Sequence, residues 1–294
     1  MTPVLLGLIG LALALPVPAV LARARWIRRA PAAGIVLWQS LALAAVLAIS
    51  GSALSTALWL VTDDEPGWWR VALHVVLMAT GVLVWARFWW AAWHVWRETA
   101  RRRARHRRLL DLLSEPHGAA PAVRILTEQT PVAYCLPALR DARVVVTSGA
   151  LESLDRDALE AVLEHERAHV RARHDLVLEA FGVLHRAFPR VLRTDAPLRQ
   201  SQLLVELMAD DAARRRVGTS PLARAIVALA GNAAPQGTLG AGGDAVIRLE
   251  RLRTGRRAPW AAASCYLLSA VVLVAPTVLL AVPWMVHALG VLGS

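Results

Sequence analysis

Lysine is absent from this chain: all 33 basic side chains among its 294 residues are arginine. Chemistry that relies on a titrating amine is excluded with it. The exclusive use of arginine points to a GC-rich bacterial coding bias. Cysteine is nearly absent as well. Cys135 in the central segment and Cys265 in the last apolar stretch are the only two, so neither a disulfide nor a thiolate metal site is expected. The sequence has no zinc-finger spacing, no glycine-rich phosphate loop and no interleaving of basic with aromatic residues. The net charge of +11 therefore does not signal direct nucleic-acid binding.

What the chain has in excess is apolar residues, 56% of the total, too many for an ordinary soluble domain of this length. Four stretches are long enough to cross a bilayer, at 3–22, 33–61, 71–94 and 260–290. Arginines cluster beside them: Arg23, Arg25, Arg28 and Arg29 after the first, Arg97 to Arg108 after the third, and Arg251, Arg253, Arg256 and Arg257 before the fourth. Basic flanks mark cytoplasmic ends, and all the clusters agree on one orientation. Both termini and the acidic turn Asp63 to Gly67 are expected outside, and the central segment inside, at a bacterial cytoplasmic membrane. A cleaved signal peptide would carry its positive charge before the apolar core, whereas here the charge follows it. Tryptophans 68, 69, 89, 90, 93 and 96 gather near the ends of the third span as an interfacial belt. Arg87 is expected to snorkel to the headgroups, and Gly51 with Ser55 to allow close helix packing.

Between the third and fourth spans lies the chemistry. His165, Glu166 and His169 form HERAH, an HExxH segment in a stretch that reads as one helix, 154–173, capped by Asp155 or Asp157. Residues four apart share a helix face, so both imidazoles can reach one ion while the glutamate sits beside it. Leu159, Val162, Leu163 and Val170 form the buried stripe. Glu160, Glu164, Arg167 and Arg171 form the water face. A second helix, 197–217, places Glu206 and Asp210 four apart among Leu203, Leu204, Leu207 and Met208. Charged residues in an apolar stretch need a partner.

The pattern predicts a Zn²⁺ site with His165, His169 and Glu206 as ligands and Glu166 as general base. Asp210 is expected to orient a ligand imidazole, and Asp211 to be solvated. His185, Tyr134 and several arginines are open candidates for stabilising an oxyanion. The intact Glu166 argues against a non-catalytic receptor that keeps a metal only for folding.

The rest of the central segment reads as an arginine-rich helix over 97–114, a break from Pro116 to Pro121, and short strands at 123–127, 132–136 and 143–147. A turn at Ser148 and Gly149 leads into the catalytic helix. Arg143 to Thr147 is the candidate for pairing with an extended substrate. A helix from Ser220 to Ala230, a glycine-rich loop from Asn232 to Asp244 and a last helix from Ile247 complete it. The organisation is three transmembrane helices in 1–96, a metallopeptidase domain in 97–257 and a fourth helix in 258–294.

The stretches AYCLPALRDARVVVTSGAL (133–151), LEAVLEHERAHVRARHD (159–175), ELMADDAA (206–213) and RLERL (248–252) resemble the BlaR/MecR-type integral membrane zinc metallopeptidases. The HtpX-type membrane peptidases share the first three in looser form. The resemblance implies a mainly α membrane protein: four transmembrane helices with a cytoplasmic, mostly helical, gluzincin-like metallopeptidase domain carrying a small β-sheet. It implies the same ligands, His165, His169 and Glu206, with Glu166 as base and Asp210 behind them. It further implies regulatory proteolysis of a cytoplasmic protein such as a winged-helix repressor of the BlaI type, with HtpX-type quality control as the alternative. Sensors of this type that detect β-lactams carry a penicillin-binding domain after the fourth span. This chain stops at Ser294 without a lysine, so direct covalent antibiotic sensing is not expected.

Overall fold

The computed structural model describes residues 2–62, 67–117, 120–138, 142–187, 194–230, 242–255 and 258–292. Residues 63–66 of the expected acidic turn and most of the glycine-rich stretch 232–244 lie outside the described residues. The chain divides into two compact units. One comprises 1–93, 181–199 and 258–294, and the other 94–180 and 200–257.

The first unit is built on four apolar helical stretches long enough to cross a bilayer. Helices α1 (Thr2–Ala14) and α2 (Pro16–Leu21) make the first. They part at Leu15 because Pro16 and Pro18 have no N–H to continue the ladder. Helix α3 (Pro31–Thr62) is the centre of the unit. It buries Leu37, Trp38, Leu41, Ala44, Ala45 and Ala48 against α1 and against α11 (Pro259–Leu292). Close packing falls at Gly10 and Gly81, where a Cβ would stand 2.7 Å from the Ile49 side chain and 2.5 Å from the Ala53 Cβ.

Ser55 turns its hydroxyl onto the Gly51 carbonyl of its own helix, and Ser50 and Thr56 do the same to Val46 and Ser52 at 2.7 and 2.8 Å. Back-bonding of this kind satisfies hydroxyls where no water is available. Helix α4 (Trp68–Leu113) runs unbroken through the expected third span and the arginine-rich stretch after it. Trp68, Trp69, Trp89, Trp90, Trp93 and Trp96 are exposed along it, with Val75, Val76, Val82 and Leu83. Apolar surface of this extent suggests a membrane protein. The Arg87 Nε donates to the Ala187 carbonyl at 2.7 Å, a tether that the snorkelling expectation did not include.

The second unit carries a four-stranded sheet in the order β1 (Ser114–His117), β2 (Ala120–Leu126), β4 (Arg143–Thr147), β3 (Ala133–Leu136). β1 and β2 form an antiparallel pair, β2 and β4 run parallel, and β3 lies antiparallel to β4. Two findings differ from the sequence expectation. The segment around Pro116 is a strand rather than a break; as an edge strand it can carry a residue without an N–H. Arg143 to Thr147 is a central strand with both edges occupied, so the edges of this sheet belong to β1 and β3.

Period-two alternation sorts the sheet's faces. Val123, Val144 and Val146 pack with Ala150, Leu154, Ala158, Val162 and Ala225 under the motif helix. Tyr134, Leu136 and Val145 pack on the other side with Leu110 of α4. A short helix α5 (Ser148–Ser153), capped by the Thr147 hydroxyl at 3.2 Å from Ala150 N, precedes the motif helix α6 (Arg156–Arg171). Asp155 is the cap of α6, accepting from Ala158 N at 2.7 Å. Helices α7 (His174–Ala187), which the sequence reading passed over, α8 (Ala196–Val217), α9 (Thr219–Leu229) and α10 (Gly242–Thr254) follow.

Gly149 sits where β4 hands over to α5, its N–H bonded to the Glu128 carbonyl at 2.9 Å. A Cβ there would lie 1.9 Å from the Gln129 carbonyl oxygen, a backbone atom that cannot swing aside. Gly149→Ala is expected to destabilise this unit by about 1–3 kcal/mol. Thermal unfolding of the detergent-solubilised protein should show a lowered midpoint; an unchanged one would contradict the close approach.

Candidate metal centre

Helix α6 presents His165 and His169 one turn apart, and α8 brings Glu206 across from them. All three are buried. Their candidate ligand atoms lie within 4.8 Å of one another. The two Nε2 atoms are 3.1 Å apart, and Glu206 Oε2 and Oε1 stand 3.3 and 3.4 Å from His165 and His169 respectively. Two ligands held about 2.0–2.1 Å from one tetrahedral ion would be separated by about 3.3 Å, so the spacing suits a shared cation. Glu206 Oε1 is buried and accepts no hydrogen bond. A desolvated carboxylate oxygen without a donor is costly, and a cation would relieve that cost.

Behind this cluster is a charged support. His165 Nδ1 faces Asp210 Oδ1 at 3.0 Å, near in distance though off the ideal hydrogen-bond line. Asp210 accepts a forked pair from Arg248 of α10, from Nε at 2.8 Å and Nη2 at 2.7 Å. Arg248 Nη1 also reaches Glu206 Oε2 at 3.1 Å, so one guanidinium fixes both carboxylates of α8 and leaves Oε1 facing the imidazoles. His169 has its own support: Nδ1 of His174 lies 3.0 Å from its Nδ1, with the rings edge to face.

Glu166, half-buried on the same helix, lies beside Cys135 of β3, whose thiol and backbone N–H favour its charged form. Neither Arg248, His174 nor Cys135 had a role in the sequence reading. Arg248 is 38 residues from Asp210, a pairing with no local signature. His174 lies five residues beyond His169, a spacing that a continuous helix would turn away.

Tyr134 and His185 are elsewhere. Tyr134 points to the other face of the sheet, where its hydroxyl meets His106 Nε2 at 2.8 Å. His185 belongs to the other unit and pairs with Asp195 at 2.5 Å. Asp211, expected in water, is paired with Arg251 at 2.6 Å and approached by Arg214. Glu164, expected on the water face, is buried and gathers Arg167, Arg171 and Arg216 at 2.8 to 3.4 Å.

Burial and charge pull the titrating groups apart. Burial works against a charge on His165, but Asp210 and Glu206 prevail and hold its pKa at about 10. Burial lowers His169 to about 3. Glu206 is desolvated, yet His165 and His169 hold it well below the usual carboxylate range. Burial raises Glu166 to about 7 against the opposing pull of His165 and Cys135. In the metal-free protein a proton on His165 thus occupies the place that a cation would take.

Residues 97–230 match the family model for Peptidase family M48. The match supports a metallopeptidase hydrolase, and the cluster of His165, His169 and Glu206 could hold its metal. No curated protein and no solved structure matches the chain.

The raised His165 pKa has a direct consequence for metal uptake. The protonated imidazole stabilises the metal-free fold fully below its unfolded value of 6.5, and that contribution is lost as pH rises through about 10. A ligand must first give up its proton. Zinc binding near neutral pH is expected to release about one proton from His165. Its apparent affinity should rise with pH across that window. Calorimetry in buffers of differing ionisation enthalpy measures the release, and binding without proton release would contradict this electrostatic picture.

Proposed function

We propose that the protein is a membrane-embedded, zinc-dependent endopeptidase that acts on a cytoplasmic protein. The observation that carries this reading is the convergence of two imidazole nitrogens and an unpaired, buried carboxylate oxygen beside a half-buried glutamate. His165, His169 and Glu206 would hold the ion. When bound, it supplies Lewis-acid chemistry, acidifying a water molecule and polarising a peptide carbonyl.

The side chains of the chain do the rest. Glu166, with its proton affinity near neutrality, is suited to take a proton from water and return it to the leaving amine. Cys135 beside that carboxylate favours its charged form through its thiol and backbone N–H. Asp210 and Arg248 keep His165 and Glu206 in place. The open edge of β3, which carries Cys135, offers main-chain groups to an extended peptide next to Glu166.

The flanking arginines favour a cytoplasmic site in a bacterial inner membrane, with both termini outside. They also assign 1–96 and 258–294 to the membrane and 97–257 to the catalytic domain. With the BlaR/MecR resemblance, this orientation supports regulatory cleavage of a soluble partner such as a winged-helix repressor. A second reading, an HtpX-type quality-control peptidase, is favoured by the M48 match itself, which names a peptidase family and no regulatory partner.

Glu166→Gln is expected to lower turnover about 10²–10⁴-fold while the purified protein keeps its zinc. His165→Ala or His169→Ala should lose both. Peptide cleavage measured beside metal content separates the cases: an active Glu166→Gln protein would sink the assignment of the base. Comparison of cellular proteomes with wild-type and Glu166→Gln protein then distinguishes one stabilised regulator from a broad set of membrane substrates.

A further inference from the structure

The contact between His174 and His169 depends on a break in the chain. On an uninterrupted helix, residues five apart are turned about 140° from each other, so the two rings could not meet. Here α6 ends at Arg171. Arg173 takes a left-handed conformation, φ 49°, the sole non-glycine residue with positive φ among the described residues. Conformations of this kind persist where surrounding contacts hold them. Arg173 is held by Asp175, with Nε 3.2 Å from Oδ1 and Nη2 3.3 Å from Oδ2. The reversal starts α7 at His174 and folds its ring back onto the helix that has just ended.

His174 is 2% exposed. Its Nε2 is buried with no hydrogen-bond partner, so the hydrogen-bonding capacity of this ring is committed through Nδ1 to His169. We infer that His174 is a positioning residue that fixes the tautomer and ring plane of His169 for metal binding. The inference rests on His169 being a ligand, as proposed above.

The proton arrangement follows from that role. A nitrogen that offers its lone pair to a cation cannot carry hydrogen, so His169 Nε2 is bare and its Nδ1 is protonated. His169 Nδ1–H then donates to His174 Nδ1, and His174 keeps its own hydrogen on the unpaired Nε2. A buried imidazole here does for His169 what Asp210 does for His165. It does so without adding another buried negative charge to those of Glu206 and Asp210.

Three substitutions in the full-length protein separate this role from simple packing. His174→Phe keeps a ring and removes the acceptor, His174→Asn places an acceptor where Nδ1 stands, and His174→Gln places one where Nε2 stands. Zinc affinity is read by competition with a chromophoric chelator, and the thermal midpoint of the metal-free protein is read alongside it. Wild-type protein should bind zinc one to one. His174→Phe should bind roughly 10–100-fold more weakly with its metal-free midpoint unchanged. His174→Asn should recover most of the loss, and His174→Gln should not.

Imidazole ¹⁵N shifts of the zinc-loaded wild type should show His169 protonated at Nδ1. Wild-type affinity in His174→Phe, or equal weakness in the Asn and Phe variants, would overturn the inference while leaving His169 as a ligand. Failure of the wild type to bind zinc would overturn the functional proposal with it.

Discussion

The constraint on which this structure turns is electrostatic: two carboxylates of one helix, Glu206 and Asp210, are buried one turn apart beneath a pair of imidazoles. Such charges are tolerated away from water only when paired. Arg248 balances one of them. The other is balanced in the metal-free protein by a proton on His165. Exchanging that proton for a divalent ion adds a positive charge, which an ionised Glu166 would offset. The site is therefore near neutral in either state, and Glu166, whose proton affinity lies near neutrality, is the group whose charge can follow the exchange.

The remaining architecture serves this pair of helices. The sheet packs its Val123, Val144 and Val146 face under α6 and presents Cys135 from β3 to Glu166. Its other face rests on the end of α4 through Leu110 and through the bond between Tyr134 and His106. Asp155 caps α6 and is gripped in turn by Arg224 of α9 at 2.9 Å. Arg248 arrives from α10, so three segments distant in sequence fix one site.

Much of this was legible in the residues, and the reason is periodicity. A spacing of four on one helix face places His165 with His169, and Glu206 with Asp210, wherever those helices form. The apolar runs are equally direct, since crossing a bilayer demands their length and composition. What escaped was set by tertiary contact or by single backbone torsions. Glu164 looks like a surface residue on a helical wheel, yet arginines from two helices close over it. The turn at Arg173, the partner of Asp210 and the central place of β4 depend on how separate segments meet. Helix α7 is amphipathic, yet its start is set by the left-handed torsion at Arg173, which no residue pattern announces. The strand at Ser114–His117 was hidden by Pro116, which reads as a breaker until its edge position is seen.

The central claim is that one metal ion is held by two imidazoles and a carboxylate inside this unit. X-ray absorption at the zinc edge of the full-length, zinc-loaded protein tests it most directly. The expected spectrum has nitrogen and oxygen neighbours at about 2.0–2.1 Å, with the multiple-scattering signature of two imidazoles, and it loses that signature when either His165 or His169 is replaced. A sulfur shell at about 2.3 Å, which would place Cys135 or Cys265 on the metal, or a spectrum indifferent to both histidines, would contradict it.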